Sequence, residues 1–331
     1  MKISKRARYF LSVIFTVLGF TLAVILNSVV PQKADVTFSQ HEVFGLALTS
    51  NDAYRIVLYA LIIYYLITGI IYYNYEDRRK KYLNSARFRF VMGILLFLWD
   101  LLGTKLQVLP QPFFPGPAGI MEAFVAEGDY VLQNTIYSLR LYFYGFVIGV
   151  ATGIITGILV GWFPRVRYWL SPVMNVLGVI PAVAWMPFAL TIMPTAFSSA
   201  VFLIAVSVWG LVATLTSTGI MSTPKTRFEA GRVLGGNEFY LVFHVAIPHA
   251  LPQIFTGITT ANGYAFTTLV MAEMMGQPGG LGYYINASKV WSAYYKVFAA
   301  IIVMAILFSL ITKVIELVQR YVLRWQKGVV K

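Results

Sequence analysis

The sequence predicts an all-α polytopic membrane protein, and three observations predict it. Hydrophobic residues make up 58% of the 331 and charged residues only 12%, with a mean hydropathy of +0.71; that is too little polar surface to cover a soluble globule. Apolar stretches of about 20 residues, the length that crosses a hydrocarbon core, recur along the whole chain. Lysine and arginine gather in alternate connections between them, as they do on the cytosolic side of a membrane.

The formal charge of +13 is therefore topological, and no nucleic-acid partner is expected. The chain has no cysteine, which excludes disulfides, thiolate ligands and cysteine nucleophiles. Its three histidines, His41, His244 and His249, stand too far apart for a metal motif. No metal is expected.

Taken in order, the first span (9–30) follows the basic segment KISKRAR. Its apolar run exceeds an ordinary signal-peptide core and lacks a small-x-small cleavage site, so it reads as a retained helix. A second span (53–74) leads into EDRRKKYLNSARFR at 76–89. That cluster is read as a snorkelling cytosolic anchor, with a specific lipid site as the alternative. It separates a two-helix N-terminal extension (1–84) from a six-span domain (85–331).

The third span (88–107) ends in LPQPFFPGPAGIMEAF, a proline-rich segment. A short helix is expected from Pro117, a residue tolerated at a first helical position, to Ala126. Spans at 137–161, 169–192, 197–219, 254–274 and 297–319 complete a set of about eight transmembrane helices. Segments 2–8, 75–89, 162–168, 220–252 and 320–331 carry 19 Lys and Arg, whereas the alternate connections hold only Lys33, Lys105, Lys289 and Lys296. Both termini are expected in the cytosol. Asp35, Glu42, Asp52, Glu122, Glu127 and Asp129 make the outer face mildly acidic, so an anionic solute would have to be delivered there by a partner.

Within the fifth span, Pro181 and Pro187 flank Trp185. Proline frees backbone carbonyls, which fits either a broken helix lining a pathway or a packing kink. In the seventh span Thr256, Thr260, Gly263, Thr267 and Met271 recur at steps of three or four and share one face, a pore wall or a close-packed seam. Asn262 and Glu273 add groups that should face protein or water, and they are grouped with this face as candidate pathway-lining residues. Nothing fits GxxxxGK[ST], HExxH or a Ser-His-Asp pattern, so no catalytic residue and no bound cofactor are expected in this chain.

The long polar interruption KTRFEAGRVLGGNEFYLVFHVAIPHALPQ (225–253) reads as a helix-turn-helix on the membrane surface. It breaks at Gly235-Gly236, resumes at Asn237, and is expected to stop at Pro248 and Pro252. Glu229-Ala230-Gly231, Gly235 and Val245-Ala246-Ile247-Pro248 resemble the EAA signature of ABC importer permeases, EAA-x3-G-x9-I-x-L-P, with Gly231 in place of the second Ala. Over about 88–326 the chain is similar to the nitrate/sulfonate/taurine type. Trp99-Asp100, the LPQP at 109–112, Ile180-Pro181 through Pro187, and AEMMGQPGGLGYYI from Ala272 to Ile285 carry that likeness. Arg140 stands one position before the family arginine, the segment after Pro187 departs from the usual pattern, and the family's six spans leave residues 1–80 unaccounted for.

The resemblance implies an importer of the prokaryotic inner membrane. Two cytosolic ATPase subunits, holding ATP and Mg, would dock on coupling helices at 225–250 through Glu229, Ala230, Gly231, Gly235, Val245, Ile247 and Pro248. An external solute-binding protein, periplasmic or lipid-anchored, would deliver a small anion such as nitrate, a sulfonate, taurine or bicarbonate. Import of a vitamin or pyrimidine precursor is the alternative within transport; an ATP-independent carrier and a membrane scaffold are the alternatives outside it. Gly235 supplies a turn that needs positive φ. Glu229 suits either a helix N-terminus or a cationic partner. One docking motif per chain, set against two ATPases, implies a homodimer with the pathway on its two-fold axis.

Overall fold

The computed structural model describes residues 5–31, 41–43 and 46–325. Lys2, Lys33, Asp35, Lys327 and Lys331 of the charge pattern lie outside the described residues, as do the side chains of Lys5, Arg6, Arg8 and Glu42. The chain forms two compact units, Met1–Val131 with Ala287–Ala299 and Leu132–Asn286 with Ala300–Lys331.

The first unit begins with α1 (Lys5–Val29), a two-stranded antiparallel hairpin (β1 His41–Val43, β2 Leu46–Leu48), α2 (Ser50–Tyr72) and α3 (Glu76–Trp99). The α1 and α3 backbones touch: a Cβ on Gly93 would lie 2.5 Å from the Gly19 carbonyl carbon. Small residues permit that approach, and close approach is what holds apolar helices together where no hydrophobic effect drives them. Thr49 caps α2 through a reciprocal box with Asp52, which satisfies two orphan donors of the first turn. Helix α4 (Pro117–Ala126) starts on its proline as expected and packs Ala118 and Met121 against Phe20, Tyr54 and Leu58. The 287–299 segment joins this unit through the Lys296–Glu127 ion pair and through Phe298, which meets Trp99 and Phe114.

The second unit contains α5 (Gly128–Trp162, whose first residues belong to the first unit), α6 (Pro164–Val179), α7 (Met186–Ile192), α8 (Ala196–Met221), α9 (Lys225–Val233), α10 (Glu238–Leu241), α11 (Ile247–Met274), most of α12 (Leu281–Val290) and most of α13 (Tyr294–Val322). A glycine ladder organises it. Gly145, Gly149, Gly153, Gly157 and Gly161 of α5 face Ile204, Val208, Val212, Thr216 and Ile220 of α8, where an added Cβ would come within 2.5–2.8 Å of a side chain. Steps of four on both helices keep the two faces in register along the whole ladder. On its other side α8 packs against α11, whose Ala261, Ala265 and Leu269 share a core with Leu203, Val208 and Val212.

The expected count of eight spans is reached only in part. Among the described residues six helices are long and apolar enough to cross a membrane, or seven if the bent pair α6–α7 is one span. The third expected span is not among these: residues 88–105 are helical throughout, α3 passing into a π-helical turn at Asp100–Lys105, but Arg89, Asp100 and Lys105 fall within it. There Asp100 and Lys105 are buried: Asn27 Nδ2 donates to Asp100 Oδ2 at 2.9 Å and Lys105 Nζ to the Asn27 carbonyl at 2.8 Å. The fifth expected span breaks at Pro181 into a 3₁₀ turn, Ala182–Trp185, and the two arms meet at 99°. Helix α3 also runs without a break through residues 84 and 85.

Candidate functional site

The 225–253 stretch folds as a braced elbow. Helix α9 ends in a Schellman turn: the Gly236 N–H donates to the Gly231 carbonyl and the Gly235 N–H to the Arg232 carbonyl, both at 2.9 Å. This pairing uses two of the helix's orphan carbonyls and requires a left-handed residue after the cap. Gly235 supplies it with φ +82°. Asn237 then caps α10, its Oδ1 accepting from the Tyr240 N–H at 2.8 Å.

The brace comes from both sides of the turn. Gly231, the departure from the signature's alanine, is buried against Leu241, whose Cδ2 would lie 2.5 Å from an added Cβ. Phe228 packs edge-on against Trp162 at 5.4 Å, Arg227 donates to His249 Nδ1 at 2.9 Å, and Arg232 pairs with Glu238 at 3.0 Å. Outward, Thr226, Glu229, Ala230, Val233 and Leu234 form one exposed face at steps of three and four. Val233 and Leu234 are 87% and 86% exposed, a bare apolar tip on a rigid mount.

Two expectations about this stretch are corrected. Glu229 is the fifth residue of α9, after Pro224 at the cap and Lys225 at the first position, so it lies beyond the first turn where the helix dipole acts. The second helix does not stop at Pro248 and Pro252. It continues as one 37-residue helix, Glu238–Met274, with Pro248 the second residue of α11 and Pro252 inside it. A π-helical turn, Val242–Ala246, precedes Pro248, and the Ile247 N–H reaches back five residues to the Val242 carbonyl. The wider turn absorbs the carbonyl that a proline would crowd in a regular helix. At about 1.5 Å per residue the 37 residues span about 55 Å, against a hydrocarbon thickness of about 30 Å. One end must protrude. Val245, Ile247 and Pro248 are half-buried there, Ile247 packing on the Ile220, Ala246, Ala250 and Ile254 cluster.

On α11, Thr256, Thr260, Thr267 and Met271 are exposed and Gly263 half-buried, all on one face of the isolated chain. The three threonine hydroxyls donate to carbonyls one turn back, at 2.9, 2.8 and 3.1 Å, leaving their methyl groups and lone pairs outward. The structure does not bring Asn262 and Glu273 to this face. Asn262 is fully buried between helices, accepting from Tyr142 Oη at 2.6 Å and donating to Thr312 Oγ1 at 2.9 Å.

Glu273 is likewise buried, and its Oε2 accepts the Gly282 N–H at 2.8 Å. It belongs to a latch that ties the glycine-rich loop to α5. The Gly280 N–H donates to Asn134 Oδ1, the Leu281 N–H to Ser138 Oγ, and Tyr137 Oη to Gln277 Oε1, at 2.8–2.9 Å. Gly280 takes φ +106° directly over the Glu273 carboxylate, where no Cβ would fit. Pro181 caps the 3₁₀ turn and is exposed; Pro187 is exposed at the second position of α7; Trp185 is half-buried against the α8–α11 core with its Nε1 buried. Arg140 stacks over the Phe197 ring at 5.4 Å. Among the described residues no three His, Asp or Glu gather to hold a metal ion. The glycine ladder escaped the sequence reading although its signal, glycine at every fourth position from 145 to 161, is plain.

Residues 149–328 match a family described as the binding-protein-dependent transport system inner membrane component. The chain is 32% identical over 265 residues to the putative aliphatic sulfonates transport permease protein SsuC of Bacillus subtilis (strain 168), covering 77% of this chain and 94% of that one. It is 28% identical over 241 residues to the taurine transport system permease protein TauC of Escherichia coli (strain K12), covering 71% and 87%. Its fold is like that of a solved chain of the MetNI methionine ABC transporter in an inward-facing conformation, with a TM-score of 0.50, 22% identity, and coverage of 58% of this chain and 96% of that one.

Proposed function

This chain belongs to the family of binding-protein-dependent transport system inner membrane components, and from that premise we propose how it works. It is a multi-pass permease subunit of the ABC importer type. In our reading a small anion crosses the prokaryotic cytoplasmic membrane through it, since relatives are named for aliphatic sulfonates and for taurine, which share a sulfonate group. An external binding protein hands over the solute. Two cytosolic ATPase subunits, which hold ATP and Mg, drive the cycle; this chain contributes no catalytic group.

The observation that carries the coupling reading is the apolar tip at Val233 and Leu234, 87% and 86% exposed on an elbow held by the Gly231–Leu241 contact and the Gly235 turn. A monomeric surface has no use for such a tip, whereas a partner's groove buries it. Force then passes along the continuous helix from Glu238 to Met274, so that a shift of the elbow moves the Thr256–Met271 face. Two copies related by a two-fold axis would set those faces toward a shared pathway, flanked by the Pro181–Pro187 break. In this reading the elbow and both termini lie in the cytosol, the side to which the Lys- and Arg-rich segments belong. Residues 1–84 are read as an extension on the 85–331 permease domain.

The test is co-expression with the ATPase subunit. Gly235→Pro removes the N–H that bonds Arg232 and forbids φ +82°; it should abolish both ATPase association and uptake while the chain still inserts. Association and uptake that survive the substitution would reject the coupling assignment. An ATP-independent carrier has less support, because Glu273, the acid it would use, is buried with its Oε2 engaged by the Gly282 N–H.

A further inference from the structure

The basic cluster at 76–89 was read as a snorkelling anchor, and the structure adds to it. Helix α2, a membrane-span candidate, ends at Tyr72, and α3 starts at Glu76. The elbow between them lies at the level where a membrane's headgroups begin. Arg78, Lys80, Lys81 and Arg87 are exposed and Arg79 half-exposed. The acids of the same elbow are Glu76 and Asp77, and Glu76 pairs with Lys80 at 3.1 Å. Among the described residues Arg78, Arg79, Lys81 and Arg87 make no ion pair.

Two arginines of this cluster, Arg78 and Arg89, are held in place. The Arg78 guanidinium sits between the Tyr72 and Tyr75 rings, 5.5 and 5.4 Å from their centroids. Arg89 lies 4.0 Å over Tyr82, which donates to the Tyr65 carbonyl at 3.0 Å. Tyr9 joins the same aromatic floor, meeting Tyr73 and Tyr82 and donating to the Gly69 carbonyl at 2.6 Å. Since α1 begins only one turn before Tyr9, the positions of Lys5, Arg6 and Arg8 belong to this end as well. Aromatic faces immobilise a guanidinium and leave its N–H edge free.

We propose that the α2–α3 elbow is a binding site for the phosphate headgroup of an anionic phospholipid, with Arg78 as its fixed donor and Arg79, Lys81 and Arg87 completing the positive rim. The site holds the N-terminal helices against one leaflet and does not depend on the transport reading. A guanidinium presents paired donors to a phosphate, and each cation near the surface raises anionic-lipid occupancy about fivefold.

The experiment uses the purified full-length chain equilibrated with mixed phosphatidylglycerol and phosphatidylcholine, the retained lipid being counted by native mass spectrometry. Wild type should retain phosphatidylglycerol preferentially. Arg78→Gln with Arg79→Gln, Lys81→Gln and Arg87→Gln should lower that preference at least about tenfold, while Lys289→Gln with Lys313→Gln leaves it unchanged. Equal retention by wild type and the fourfold variant would overturn the proposal. So would displacement of the lipid by inorganic phosphate, which would assign the site to a free anion. If the fourfold variant does not fold, wild type decides: a preference that falls with added salt supports the site, and one indifferent to salt rejects it.

Discussion

Gly235 offers a perturbation whose magnitude can be worked from geometry alone. It sits at φ +82° with nothing within 4 Å of where a Cβ would stand, so substitutions there act on the backbone and not through a clash. A left-handed conformation costs an L-residue about 1–2 kcal/mol, least for asparagine and most for a β-branched side chain. The Schellman pairing of Gly235 and Gly236 with Arg232 and Gly231 cannot survive if the residue moves to negative φ. The docking-competent elbow then becomes a minor state, and apparent affinity falls with its population. Affinity for the ATPase subunit, measured on detergent-solubilised complexes by titration, should therefore fall in the order Gly, Asn, Ala, Val, with Ala about 5- to 30-fold weaker. Thermal stability of the membrane helices should hardly change, because the site is exposed. If Val binds as tightly as Gly, or if affinity follows side-chain size instead of φ preference, the rigid elbow is not what the partner reads.

Three further outcomes follow from contacts elsewhere. Gly157→Val places a branched side chain against the Thr216 side chain and the Ala213 carbonyl; it should separate α5 from α8 and destabilise the chain by about 1–3 kcal/mol, seen as a lower midpoint in a thermal unfolding scan. Glu273→Ala leaves the Gly282 N–H without its acceptor and should cost about 1–3 kcal/mol, with faster proteolysis of 276–283; Glu273→Gln keeps an acceptor and should lose less. Tryptophan at Thr260, on the exposed α11 face, should block uptake while sparing ATPase association, and uptake at the wild-type rate would remove that face from the pathway.

What the sequence revealed and what it hid have separate physical causes. The start of α4 at Pro117 and the stop at Gly235-Gly236 were legible because proline at a first helical position and glycine after a cap act locally. Pro248 misled because the rule against interior proline assumes i→i−4 bonding throughout, and the π-helical turn at 242–246 lifts that assumption. Asn262 and Glu273 were grouped with the threonine face because each was expected to face protein or water; Tyr142, Thr312 and the Gly282 N–H decide it for protein. Periodicity gives a residue's angle on its helix and is silent about which neighbour fills that side. Asp100 and Lys105 show the same limit in the third expected span. Their burial depends on Asn27, more than 70 residues away.

The most direct measurement of the central claim is a photocrosslink from position 234. A photoreactive amino acid replacing Leu234, at the exposed tip of the elbow, in a chain co-expressed with its cognate ATP-binding subunit, should yield one adduct with that subunit, and Gly235→Pro should abolish it. An adduct with lipid alone, alongside solute uptake that persists without the ATP-binding subunit, would contradict the account.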